Sequence, residues 1–168
     1  VQFDYADESH NTAARLKKAH SKLNSHFLLL YGDNYAPIDI SVMKSQYKST
    51  NQVQMLCYQN QGDYSRPNIV LDQDNNIKLY DLTRSNSKAD WVDLGYMICP
   101  KKIIDLSSTS TATGLGEGLL VPLVDSNKIS AYKTFNRYYS VTNMERLKQT
   151  KLLLQSKRFF VILMSTIR

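Results

Sequence analysis

Apolar and polar positions along the chain follow two rhythms, one of about 3.6 residues and one of 2. Val1 to Ala6 alternates, as an edge or half-buried strand does. Asn11-Thr12 offers a cap for a helix to about Leu23, with Leu16, Ala19 and Leu23 as its apolar stripe and Arg15, Lys17, Lys18 and Lys22 outside it. His26 to Tyr31 is a continuous apolar run ended by Gly32, the habit of a strand buried on both faces of a parallel sheet. Asp39 or Ser41 opens a second helix to about Lys48, and Asn51 to Tyr58 reads as a strand. Asn68–Leu71 and Ile77–Tyr80 flank the turn Asp72 to Asn76, a hairpin signal. Trp91 to Cys99 reads as a buried strand, followed by Pro100 and a short helix from Lys101. A Ser/Thr/Gly-rich loop spans Asp105 to Gly118, and the apolar Leu119 to Val124 reads as helix. Strands are expected at Lys128 to Thr134 and Tyr138 to Val141. Thr142 and Glu145 fit a capping box for a helix to about Gln155, and Phe159 to Met164 reads as a last strand.

Alternating strands and helices in the first third argue βαβ units, and the hairpin makes the sheet mixed. The expected fold is α/β: three layers, a mixed and mostly parallel sheet, helices on both faces. The 168 residues allow one domain with a real core. No apolar run approaches the ~18 residues of a membrane span, so no membrane partner is expected. The chain opens Val1-Gln2-Phe3 without an initiator Met or a secretory pattern, which points to a fragment or a processed chain. Cys57 and Cys99 sit inside apolar segments, as buried thiols of a reducing, cytoplasmic protein do. The net charge of +6 comes from scattered Lys and Arg without aromatic interleaving. That argues against nucleic acid and for small polyanionic ligands.

The strongest local signal is Leu28-Leu29-Leu30-Tyr31-Gly32-Asp33-Asn34. Ligands of open α/β sheets bind outside the carboxyl ends of strands. Gly32 permits a sharp exit there, and Asp33 is then placed to hold a divalent cation against phosphate oxygens. A plain strand-ending turn is the other reading of the same residues. Gly114 to Gly118 has neither the GxGxxG spacing nor a following Lys-Ser/Thr, and reads as a loop entering a helix. Asp72, Asp74 and Asn76 imitate a calcium loop, but Ile77 and Thr83 stand where Gly and Glu are needed. His10, His20 and His26 have no Ser or Cys partner at a recognisable elbow, so a hydrolytic triad is unsupported.

The ordered set of motifs resembles the sugar-phosphate nucleotidyltransferase family across nearly the whole chain. Glu8 and Thr12-Ala13 open a helix; an apolar strand ends in Gly32-Asp33; Ile38-Asp39-Ile40-Ser41 opens the next helix. The hairpin strand Asn68 to Asp72 and Trp91 to Tyr96 follow, then Tyr138 to Leu147. With Phe159 to Leu163, that last segment looks like heptose 1-phosphate guanylyltransferase-like chains fused to a haloacid dehalogenase-type phosphatase. The resemblance implies a Rossmann-like domain over 1–156, incomplete at its N-terminus, and a tail over 157–168 as the remnant of a fused phosphatase. It implies joining a nucleoside triphosphate to a sugar 1-phosphate with release of pyrophosphate, with Mg2+, in cytoplasmic glycan or lipopolysaccharide precursor synthesis. Asp33 matches the catalytic, metal-binding aspartate. Thr12, Ala13, Gly32 and Asp33 match the nucleotide segment. Asn34, Asp93 and Gly95 match the sugar pocket.

The departures from the family are specific. No Gly-rich loop carrying Arg and Lys precedes Glu8, so the chain reads as N-terminally truncated. The second metal-binding aspartate falls on Ser140, a weak ligand without charge. Met164-Ser165-Thr166-Ile167 stands where the phosphatase nucleophile motif belongs. Weak or absent catalysis by this polypeptide is therefore expected. A non-catalytic nucleotide-sugar-binding or regulatory module of the same fold is the alternative. A sheet begun partway also leaves a strand edge unpaired, so either self-association into a homo-oligomer or a missing N-terminal segment is expected.

Overall fold

A computed structural model describes residues 5, 7–47, 52–61, 64–107, 110 and 112–156. The tail over 157–168, with the strand expected at Phe159–Met164, lies outside the described residues, as does most of the strand expected at Val1–Ala6.

Local capping works as the sequence implies. The Thr12 N–H donates to Asn11 Oδ1, opening α1 (Thr12–Lys18), which tightens into a 3-10 turn over Ala19–Lys22. The Ser41 N–H donates to Asp39 Oδ1 and opens α2 (Ile40–Gln46). The strands are β1 (His26–Leu30), β2 (Asn34–Tyr35), β3 (Val53–Gln59), β4 (Ile69–Leu71), β5 (Ile77–Tyr80), β6 (Trp91–Pro100), β7 (Ile129–Thr134) and β8 (Tyr139–Ser140). A 3-10 segment covers Lys101–Leu106. A π-helical turn over Gly116–Leu120 runs into α3 (Val121–Asp125), and α4 covers Met144–Ser156. The α4 cap falls one residue later than the capping box places it. The Arg146 N–H donates to Asn143 Oδ1, because Asn143 is the last residue before the helix.

The main sheet runs β5-β4-β6-β3-β7, with β1 also on β6. The sheet is mixed. Strand direction is mostly shared, since β1, β3 and β4 all run opposite to β6 and β7 runs with β3. Pairing is mostly antiparallel, because the long β6 lies between strands of the other direction. Side chains alternate across the sheet with period 2. Val53, Met55, Cys57, Trp91, Met97 and Cys99 point to one face, under α1, the 3-10 segment and α3. Leu56, Tyr58, Val92, Leu94 and Ile98 point to the other, where α2 contributes the fully buried Met43. Full burial of such side chains stabilises by roughly 1.5–3 kcal/mol each. Helices on both faces of the sheet make the three layers.

β1 departs from its reading as a strand buried on both faces. Leu28 and Leu30 are 40% and 49% exposed, while Phe27 and Leu29 pack against the core. Among the described residues β6 is its one partner strand, and the other edge of β1 is open. An apolar run reports composition, whereas burial on the second face needs a neighbour there.

Candidate functional site

The end of β1 is fixed to β6 by a bulge. Met55 pairs with Met97 and Cys57 with Asp93, so β6 uses four residues where β3 uses two. The bulge contains Gly95, at φ +72°, in the left-handed region that glycine tolerates. A Cβ on Gly95 would lie 2.2 Å from the Tyr31 ring, which rests on its backbone. The Tyr31 N–H donates to the Gly95 carbonyl at 2.8 Å.

Asp93 locks this junction. It is 4% exposed. Its Oδ2 accepts the Tyr31 and Tyr80 hydroxyls at 3.1 and 2.8 Å, and its Oδ1 accepts the Gly95 N–H at 2.7 Å. Burial raises its pKa above the ordinary carboxyl value, outweighing the three donors that lower it. Burial, and then the adjacent Asp93 charge, push the Tyr31 and Tyr80 phenols far up as well.

Tyr31-Gly32-Asp33 then turns off the sheet. Gly95 is the glycine with positive φ among the described residues, so Gly32 turns without using that freedom. A Cβ at Gly32 would meet nothing within 4 Å, so the backbone there is open to a ligand. Thr12, Arg15, Leu29, Tyr31, Gly32 and Asp33 line a cavity of about 600 Å³, mostly apolar, at this carboxyl end of β1. The Thr12 hydroxyl accepts the Leu115 N–H at 2.8 Å, so Leu115 and Gly116 border the cavity where the chain enters its helical turn. Ala13 is fully buried behind Thr12.

After the turn, β2 pairs with β8, with Asn34 opposite Ser140. The Val141 N–H donates to the Asp33 carbonyl at 3.0 Å. Asp33, Asn34 and Ser140, 107 positions apart between the first and the last, thus become neighbours. The Asn34 Nδ2 donates to the Leu94 carbonyl at 3.1 Å, and the Tyr96 hydroxyl donates to the Asn34 carbonyl at 3.2 Å. Asp93 and Gly95 lie behind this ladder, occupied with Tyr31 and Tyr80.

Ser140 is 2% exposed, and its Oγ accepts the Arg146 Nη1–H at 3.1 Å. Among the described residues no group of three or more His, Cys, Asp or Glu side chains could hold a metal ion. Mg2+ commonly uses one or two carboxylates, water and ligand phosphates. The exposed Asp33 carboxylate fits that role; a serine oxygen already facing a guanidinium does not.

Sequence reading alone does not find Tyr64, Arg137 and Arg146, which the fold gathers next to Ser140. They come from three separate stretches, with no spacing pattern to mark them. The Asp72 to Asn76 turn is held by its own atoms: Asp72 Oδ1 accepts the Asp74 and Asn76 N–H groups. No helix among the described residues is long and apolar enough to cross a membrane.

No family model matches the sequence, and no curated protein matches it. Solved structures do match. HddC from Yersinia pseudotuberculosis superposes with a TM-score of 0.69 at 17% identity, over 86% of this chain and 62% of that one. Its complex with GMP-PN matches at 18% identity and the same TM-score. A candidate glucose-1-phosphate thymidylyltransferase from Bacillus anthracis, in complex with a sucrose, gives 0.73 at 12% identity over 94% and 66%. The inositol-1-phosphate CTP transferase from T. maritima gives 0.71 at 19% identity over 92% and 65%. The chain therefore spans slightly under two thirds of these proteins' length and has the sugar-phosphate nucleotidyltransferase fold.

Proposed function

We propose that this chain forms the nucleotide- and sugar-phosphate-holding part of a sugar-phosphate nucleotidyltransferase. The observation that supports this best is Asp33. It sits at the carboxyl end of β1, on a 600 Å³ cavity shared with Thr12 and Gly32, in a chain with that fold. The setting proposed is cytoplasmic synthesis of glycan precursors.

In this reading the cavity takes the nucleoside, with Thr12 and Gly32 against it and Ala13 packing Thr12 from behind. Asn34 and the strand segment around Asp93 and Gly95 face the sugar side. Asp93 acts there as a positioning residue, because its carboxylate is already bound by Tyr31, Tyr80 and Gly95. The reaction is in-line attack of a sugar phosphate oxygen on the α-phosphorus, with pyrophosphate leaving. Asp33 would hold Mg2+, which draws charge from phosphate oxygens when bound. The chain's own residues orient the two ligands and exclude water from the cavity.

The HddC complex makes a guanosine nucleotide the first probe. In calorimetric titrations with GTP, Mg2+ should strengthen binding by about tenfold or more, and Asp33→Ala should abolish that gain. An equal gain in both proteins would remove Asp33 from the role; no GTP binding at all would overturn the nucleotide reading.

The second reading, a nucleotide-sugar-binding module without catalysis, draws on Ser140, held by Arg146 and without charge of its own. Binding of a guanosine diphosphate sugar without pyrophosphate release would favour it.

A further inference from the structure

Arg137 and Arg146 both stand over the ring of Tyr64, with their Cζ atoms 4.1 and 4.5 Å from its centroid. Arg137 also lies 5.5 Å from the Tyr139 ring centroid. Two guanidinium groups held against one ring repel each other, and stacking on the ring does not cancel their charge. Surface arginines normally neutralise that charge with carboxylates. Here the Arg137 Nη2–H donates to the neutral Gln149 Oε1 at 2.7 Å. Arg146 donates to Ser140 Oγ at 3.1 Å and to the Tyr64 carbonyl at 2.8 Å. Among the described residues neither has a carboxylate partner.

The position of the pair gives it a use. Ser140 pairs with Asn34, and its successor Val141 donates to the Asp33 carbonyl. Arg146 is anchored on Ser140, so the two cations gather on the strand that lies against the Asp33 turn. Arg146 is anchored through Nη1 and Nη2, and Arg137 through a single Nη2 contact, so each guanidinium keeps N–H donors beyond its anchors. Planar N–H forks of this kind match phosphate oxygens two at a time.

We propose that Arg146 and Arg137, gathered on the Tyr64 ring beside Ser140, form a phosphate-binding cleft that takes a phosphoryl dianion of the ligand seated at Asp33. This rests on the nucleotidyltransferase reading for the identity of that ligand, and on the stacked arginine pair without a carboxylate partner for the phosphate site. The protein's own cations then neutralise phosphate where residue 140 offers none of the charge a second metal ligand would. The phosphoryl group is either that of a sugar 1-phosphate or that of pyrophosphate.

The test titrates inorganic pyrophosphate and, separately, glucose 1-phosphate into the 168-residue protein in EDTA, so that no divalent cation contributes. Both should bind, more weakly as salt rises, and the tighter of the two identifies the source of the phosphoryl group. Arg146→Gln should weaken both at least tenfold. Arg146→Lys should retain part of the affinity, since it keeps the charge and loses the fork. The exposed Arg137→Gln, whose one side-chain hydrogen bond among the described residues is to Gln149, should weaken binding several-fold with only a small change in melting temperature from the lost ring stacking. If Arg146→Gln proves unstable, Arg137→Gln decides. Absent binding in the parent protein, or unchanged affinity in Arg137→Gln and in folded Arg146→Gln, would overturn the cleft. Guanosine, which carries no phosphate, is titrated alongside: failure of guanosine with Arg-dependent phosphate binding intact fails the nucleotide reading and leaves the cleft, and the converse result does the opposite.

Discussion

At the scale of single residues, Asp93 carries a burial cost that its partners reduce without removing. Its carboxyl is raised above the ordinary aspartate value chiefly by desolvation. The folded state therefore holds the proton more tightly than the unfolded chain, whose aspartates titrate near ~3.9. Between the unfolded and the raised folded value the native state binds more protons, so stability falls as pH rises through that window. The Asp93 contribution is fully present below ~3.9 and is lost as pH passes the folded value. Asp93→Asn removes the ionisation but presents an amide to two hydroxyl donors, costing about 1–3 kcal/mol. Urea unfolding from pH 4 upward should show that deficit largest at the acidic end and shrinking toward neutrality. A deficit that widens with rising pH would mean that Tyr31 and Tyr80 hold the ionised form and that burial is the lesser effect.

At the scale of elements, β1 is the exposed liability. Its outer edge has no partner among the described residues, and Leu28 and Leu30 are substantially exposed. Unpaired apolar edges template pairing with other chains. Light scattering across a concentration series should therefore show self-association, and Leu28→Lys should weaken it on the order of tenfold by placing a charge on the edge. A parent protein that stays monomeric at high concentration would sink this expectation. The same strand shows where sequence reading stops. The α1 and α2 caps at Asn11 and Asp39 and the hairpin turn at Asp72 were legible because each signal and its consequence lie within a few residues. The exposure of β1 was not, because it depends on what lies beside it in space. The Gly95 bulge was equally hidden: a glycine in an apolar strand looks the same with or without Tyr31 against it. Asp33 is marked by its strand and turn, while Arg137 and Arg146 carry no local mark and come together only through the placement of β8 and α4.

Across the whole molecule, the proposed site is better equipped to hold a ligand than to transform one. Phosphoryl transfer depends on charge stabilisation that is in place before the reaction, and loss of one such donor typically costs ~10²–10³ in rate. The Gly114–Gly118 run contains no Lys or Arg and is committed to a helical turn. Arg15, the cation lining the cavity, is partly committed to the chain before α1: its Nε–H and Nη2–H donate to the His10 and Asp7 carbonyls. That leaves Asp33 with any Mg2+ it holds, and the proposed arginine cleft one strand away, to carry a charge that such chemistry usually spreads over more groups. Pyrophosphate release by the 168-residue chain, followed with GTP and a panel of sugar 1-phosphates, should therefore stay within about tenfold of the uncatalysed background, even at concentrations that saturate binding. Turnover well above that level would show that the groups this chain carries suffice for catalysis, and would overturn this expectation.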